Sequence, residues 1–157
     1  AATNAYKTNI DKEYYERAAE IATKYKLGES EVHDAATNAY ETNMARRYYE
    51  TAAEIATKYK LSENDVRYAA TNAYKTDMIN KYYERAADIA TQYKLGENDV
   101  HDAASNACIT NITNGYYEHA ADIATQYKLG ENEVHDAATI AYREKNIQQR
   151  LRTCNRD

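Results

Sequence analysis

The chain has 157 residues, 43% of them apolar and 17 of them tyrosine, with no proline, phenylalanine or tryptophan and four glycines. That apolar content excludes a disordered chain, the length suffices for one core, and the scarcity of breakers favours long helices over sheets. The net charge of −5 argues against a polyanionic partner, and the two cysteines form neither a disulfide framework nor a CxxC metal or redox motif. The charge is uneven: residues 143–157 carry +3, which leaves −8 on the rest. No apolar run approaches the ~20 residues of a membrane helix, no signal peptide is apparent, and a reducing compartment such as the cytoplasm fits.

Taken in chain order, "YYERAAEIATKYKL" at 14–27 places Tyr14, Ala18, Ile21, Ala22 and Tyr25 on one helical stripe, widened by Tyr15 and Ala19. The expectation is that tyrosines fill gaps between alanine seams, each buried hydroxyl finding a partner. Glu20 and Lys24, four apart, are expected to pair. "KLGE" follows at 26–29, and Gly28 suits a left-handed helix cap. The next helix is expected to start near Ser30, an N-cap residue followed by acidic Glu31. Over 30–44, Val32, Ala35, Ala36, Ala39, Tyr40 and Met44 make a second apolar stripe. Asn9, Asn43, Asp77 and Asn111 are candidates to cap the helices that begin near residues 14, 48, 82 and 116.

The pattern then returns every 34 residues. The units are 1–34, 35–68, 69–102 and 103–136, with a partial unit and closing helix over 137–157. Gly96 and Gly130 recur in the glycine position, Ser62 replaces it once, and Asn64, Asn98 and Asn132 repeat the N-cap position. Faces this wide are not buried within one helix pair, so each unit leans on the next. The fold predicted is all-α: an α-solenoid of antiparallel helix pairs, about nine helices in one repeat domain over 1–157. Ile140, Ile147, Leu151 and Cys154 give the closing helix its apolar face, and Cys108 replaces a tyrosine as a small core residue. Ala1 falls inside the first helix of its unit, so either residues precede it or that face meets another molecule.

"TNAY" at 3–6, 37–40 and 71–74 and "YYERA" at 14–18 resemble the end of the first helix and part of the second in tetratricopeptide repeats. The chain lacks that family's tryptophan, first-helix glycine and closing proline. The resemblance implies a groove, lined by the first helices, that binds a peptide or protein. The pentatricopeptide repeats are a second resemblance and imply RNA reading, which the acidic body opposes.

Asp34, Asn38 and Glu41 point away from the apolar stripe of their helix. The equivalents are Asn4 on the first helix of unit one, Tyr68, Asn72 and Lys75 on the next first helix, and Asp102 and Asn106 on the one after it. The packing letters hardly change between units, whereas these positions change charge and size. They are the expected partner-binding groove, with the asparagines able to donate to and accept from a peptide backbone. His33, His101 and His135 share one repeat position, but equivalent helices stand too far apart to converge on zinc. His119, alone at its position, reads as surface. No catalytic constellation or phosphate loop is present, and Asn111-Ile112-Thr113 is a formal glycosylation sequon. The expected function is a non-enzymatic protein- or peptide-binding scaffold without cofactor or metal. The alternative is a structural protein that self-associates by stacking end to end.

Overall fold

A computed structural model of the chain describes residues 1–131 together with His135, Thr139, Tyr142 and Arg143. Among them there are eight helices and no strand: α1 (Ala2–Asp11), α2 (Tyr15–Lys24), α3 (Glu29–Ala45), α4 (Tyr49–Lys58), α5 (Glu63–Ile79), α6 (Tyr83–Gln92), α7 (Glu97–Asn114) and α8 (Tyr117–Gln126). From α3 on, first helices of 17 or 18 residues alternate with ten-residue second helices, while α1 has ten residues. Of the ninth helix expected near the C terminus, Asp136, Ile140, Ile147, Leu151 and Cys154 lie outside the described residues, as does Asn132.

The chain divides into two compact units, Ala1–Ala73 and Tyr74–Asp157. In the first, α1 packs on α2, α2 on α3 and α3 on α4; in the second, α6 packs on α7 and α7 on α8. Consecutive helices resting on each other are the arrangement of a helical repeat. The seams are alanine. Ala18, Ala19, Ala35 and Ala36 are fully buried and form one cluster, against which Tyr6, Ile10, Tyr59 and Leu61 pack. In the second unit Ala86, Ala87, Ala103 and Ala104 are likewise fully buried. A methyl group is the most a helix can carry there and still let its neighbour approach. Cys108 is buried, as its repeat position suggests.

The turns correct the expected punctuation. Gly28 and Gly96 are in extended backbone, with φ of 163° and 173°, and serve as N-caps of α3 and α7. The left-handed residue is two places earlier, at Lys26, Lys60, Lys94 and Lys128. Lys26 N–H donates to the Thr23 carbonyl and Leu27 N–H to the Ala22 carbonyl, at 3.3 and 3.0 Å. This pair of bonds is the Schellman closure, and leucine follows because the second residue past the cap packs back on the helix. Gly28 is left to begin the next helix, which starts at Glu29. Ser30, Asn64 and Asn98 therefore sit inside their helices rather than capping them. Ser62 manages without glycine by a capping box: its Oγ accepts from Asp65 N–H at 3.1 Å, and Asp65 Oδ2 accepts from Ser62 N–H at 3.3 Å.

The other turn closes in the same way. Glu13, Arg47, Lys81 and Gly115 are left-handed. The carbonyls of Asn9, Asn43, Asp77 and Asn111 accept from the N–H of Tyr14, Tyr48, Tyr82 and Tyr116 at 2.8–2.9 Å. Those four residues thus lie in the last turns of the first helices and do not cap the second ones. The N-caps are Tyr14, Tyr48, Tyr82 and Tyr116, none with a side-chain cap bond.

Placing the tyrosines outside the ten-residue helices takes them off the stripe. Tyr14, Tyr48, Tyr82 and Tyr116 are 57–63% exposed, and Tyr25 is exposed too. The buried tyrosines are on the first helices, at Tyr40 and Tyr74. Tyr40 hydroxyl donates to the Asp65 carbonyl at 3.3 Å, and half-buried Tyr6 donates to the Glu31 carbonyl at 3.2 Å.

Seven of these left-handed residues are not glycine, and each carries the Cβ clash of that conformation. Lys26→Gly and Lys60→Gly should each raise the unfolding free energy by about 0.5–1 kcal/mol, the relief of strain exceeding the entropy cost. Gly115→Ala should lower it by about 1 kcal/mol. Urea unfolding of the full chain checks all three.

Candidate functional site

The first-helix row is built by helical period alone: residues 34, 38 and 41 fall on one face because steps of four and three nearly close one turn. In the first unit, Asn4 on α1, Asp34 and Glu41 on α3 and Tyr68 on α5 are exposed, while Asn38 and Asn72 are half-buried. In the second, Lys75 on α5 and Asp102 on α7 are exposed and Asn106 is half-buried. The reason for the half-burial is a bond along the helix. Asn38 Nδ2 donates to the Asp34 carbonyl at 2.9 Å, Asn72 to Tyr68 at 2.8 Å and Asn106 to Asp102 at 2.7 Å. That bond uses one of the two N–H groups of each amide and none of the accepting capacity of Oδ1. These asparagines therefore offer a partner less than a whole amide, but in a held orientation.

Side-chain bridges between repeats were not legible in any single helix pattern. Lys58 Nζ donates to Glu20 Oε1 at 3.2 Å, from α4 to α2. The expected Glu20–Lys24 pair is replaced by this one, and Lys24 lies over the Tyr25 ring at 5.4 Å. In the second unit, Tyr127 hydroxyl donates to Asp88 Oδ1 at 2.6 Å. The sequence carries a trace of this difference. Positions 20, 54, 88 and 122 read Glu, Glu, Asp, Asp, and positions 24, 58, 92 and 126 read Lys, Lys, Gln, Gln. Acid and lysine change together, while the tyrosine that Asp88 meets is the same at 25, 59, 93 and 127, a switch of partner that a pattern read one helix at a time misses.

A second polar cluster sits at the start of the second helices. Arg85 Nε lies 3.2 Å from Asp77 Oδ2, and the Arg85 guanidinium is 5.8 Å from the centre of the Tyr82 ring. Glu84 accepts from Asn111 Nδ2 on one oxygen at 3.0 Å and meets His119 Nε2 on the other at 2.9 Å. His119 is thus exposed yet engaged, rather than plain surface. Asn111 is buried and also donates to the Ala107 carbonyl at 2.9 Å, so its sequon is not presented for glycosylation. His33 Nδ1 stands 4.0 Å from Asp34 Oδ1, His101 is half-buried and His135 is exposed. Among the described residues no three His, Cys, Asp or Glu side chains gather where one ion could be held.

Two open clefts mark the first unit. One, of about 690 Å³, has Ala22, Val32 and Tyr59 for its apolar lining, with Lys26, Lys60 and His33. The other, of about 630 Å³, lies between the start of α2 and the last turns of α3 and includes Tyr14, Glu16, Arg17, Asn43 and Arg46.

Burial raises the phenols of Tyr6, Tyr40 and Tyr74 above their ordinary range, with Asp34, Asp65 and Asp99 adding to it in turn. Tyr127 is raised most, by burial first and then by its hydrogen bond to Asp88. The Lys58 ammonium is raised mainly by its bond to Glu20.

Comparison with protein-family models, with curated proteins and with solved structures finds no match for this chain. Among the described residues no helix is long and apolar enough to cross a membrane.

A phenol raised in the native state keeps its proton where the unfolded chain, near its ordinary 10.0, has lost it. The native state then binds more protons, so stability falls as pH rises above that value. Tyr127→Phe should make the fall between about pH 9 and about pH 11 shallower, as urea unfolding at the two values measures.

Proposed function

We propose that the chain is a non-enzymatic scaffold that binds a protein or peptide segment along its first helices, in the manner of the tetratricopeptide class that its 34-residue unit resembles. One observation carries the reading. On α3, α5 and α7 the inward positions are invariant buried alanines, while the outward positions change character. In the first unit Asp34 is followed by Tyr68 at the same place; in the second, Lys75 is followed by Ile109. Packing alone does not require that change, because the outward groups touch no seam. An exposed aromatic at Tyr68 adds the kind of side chain that anchors interfaces. The asparagine row supplies oriented amides at helical spacing beside it.

The test uses the full chain as bait. Replacing Asn38 and Asn72 together by alanine should lower partner capture by about fivefold or more, while the melting temperature moves by no more than about 2 °C. Undiminished capture by the double variant would remove the groove from the function.

A further inference from the structure

Two closures alternate along the chain, and each uses a left-handed residue. At the end of the first helices that residue is Glu13, Arg47, Lys81 and Gly115 in turn. At the end of the second helices it is lysine every time, at 26, 60, 94 and 128. Glycine adopts the conformation without strain, and Gly115 shows the chain using it. The helix dipole favours a cation at both closures alike, yet Glu13 occupies one of them. Neither the backbone nor the dipole therefore requires lysine at the second closure. A strained position that keeps one side chain in all four repeats points to a task for that side chain.

In the first unit two of these lysines share one cleft. Lys26 and Lys60 both line the opening of about 690 Å³ whose apolar surface comes from Ala22, Val32 and Tyr59. Val32 and Tyr59 are only half-buried, so apolar surface there remains open to a ligand. Lys26 and Lys60 are exposed and make no hydrogen bond, ion pair or ring contact among the described residues. The lysines two places earlier behave otherwise: Lys58 holds Glu20, and Lys24 lies over the Tyr25 ring. Glu29 is the one acid in the lining, so two lysines against one glutamate leave it positive before His33 is counted, on a chain whose net charge is −5. The start of α3 is not itself the anion site, because the Glu31 carboxylate already stands beside Gly28.

We propose that this cleft binds a small amphipathic monocarboxylate, a free organic acid with an apolar tail of about six to eight carbons. The tail lies on Ala22, Val32 and Tyr59, and the carboxylate takes Lys26 and Lys60. A cleft of this size with an apolar wall and a few charged groups has the make-up of a small-molecule site. A hydrated inorganic anion would meet the lysines but gain nothing from the apolar wall. An alcohol or amine of the same length would gain the wall but form no ion pair with lysine. A molecule with both ends uses every feature of the cleft. Lysine suits this head group, since an ammonium on a flexible stem is a point charge that can follow a carboxylate along an open rim. The cleft shares no residue with the first-helix row, and the inference does not rest on the peptide-binding reading.

The experiment is a titration of the full chain, isotope-labelled for amide spectra, with sodium octanoate at constant ionic strength. Parallel titrations use octan-1-ol, octylammonium and inorganic phosphate. Octanoate should give saturable shifts at Thr23, Lys26, Val32 and Lys60, with Kd on the order of 1 mM. The alcohol should bind about fivefold or more weaker, and octylammonium and phosphate should give no saturable shift at these residues. The Lys26→Gly, Lys60→Gly double variant loses the strain as well as the charges. It should unfold at higher urea than the parent and yet bind octanoate about tenfold or more weaker. The Lys26→Gln, Lys60→Gln double variant removes the charges alone and should weaken octanoate by about the same factor, which keeps the test decisive if the glycine variant fails to fold. Shifts that do not saturate, the alcohol or octylammonium binding as well as octanoate, or a folded double variant binding as well as the parent chain would each overturn the assignment. Saturable phosphate shifts at the same residues would overturn it too, since charge alone would then account for binding.

Discussion

A methyl group at the seam is the constraint on which the other features rest. Ala18 and Ala19, Ala35 and Ala36, and Ala52 and Ala53 in the first unit have no accessible surface, and the same holds for Ala86, Ala87, Ala103 and Ala104 in the second. Nothing larger fits between helices at this spacing without displacing a backbone, since interiors are packed at crystal-like density. Alanine costs no side-chain entropy and is the best helix former, so one residue both builds the helix and sets its distance to the next. The bulk needed to fill the remaining volume comes from few places, chiefly Ile55, Ile89 and Ile123 on the second helices and Tyr40 and Tyr74 on the first.

Close seams demand that each helix stop where its neighbour begins. The described helix ends meet this by a single device, a left-handed residue with two backbone bonds folded over the last turn. Using lysine, arginine or glutamate instead of glycine at seven of these places carries strain but puts a charge at each of those seven turn edges, where water reaches it. The strain is borne because each closure also delivers a residue to the next element. Leu27 and its equivalents pack back on the helix just ended, and Tyr14 and its equivalents begin the next one.

Variation between repeats is then confined to side chains that do not touch the seam, and it falls into two kinds. One is the outward row of the first helices, where neighbouring groups differ in charge and size. The other is the set of bridges between second helices, where the acid meets a lysine in one unit, Glu20 with Lys58, and the unchanging tyrosine in the other, Asp88 with Tyr127. The second kind holds repeats to each other.

How far the sequence alone reaches follows from the range of each interaction. Helix content, the 34-residue unit, the alanine stripes and the outward position of Asp34, Asn38 and Glu41 depend on period within a single helix, and period is written in neighbouring letters. The turn closures were misplaced by two residues because glycine is the usual left-handed residue, and only the folded backbone shows lysine taking that conformation while Gly28 opens α3. The exposure of Tyr14, the partner of Glu20 and the engagement of His119 were decided by tertiary structure. Each depends on which atom of a neighbouring helix stands within about 3 Å of a side chain, and that distance is set by the seam between helices, far along the chain from the residues it joins.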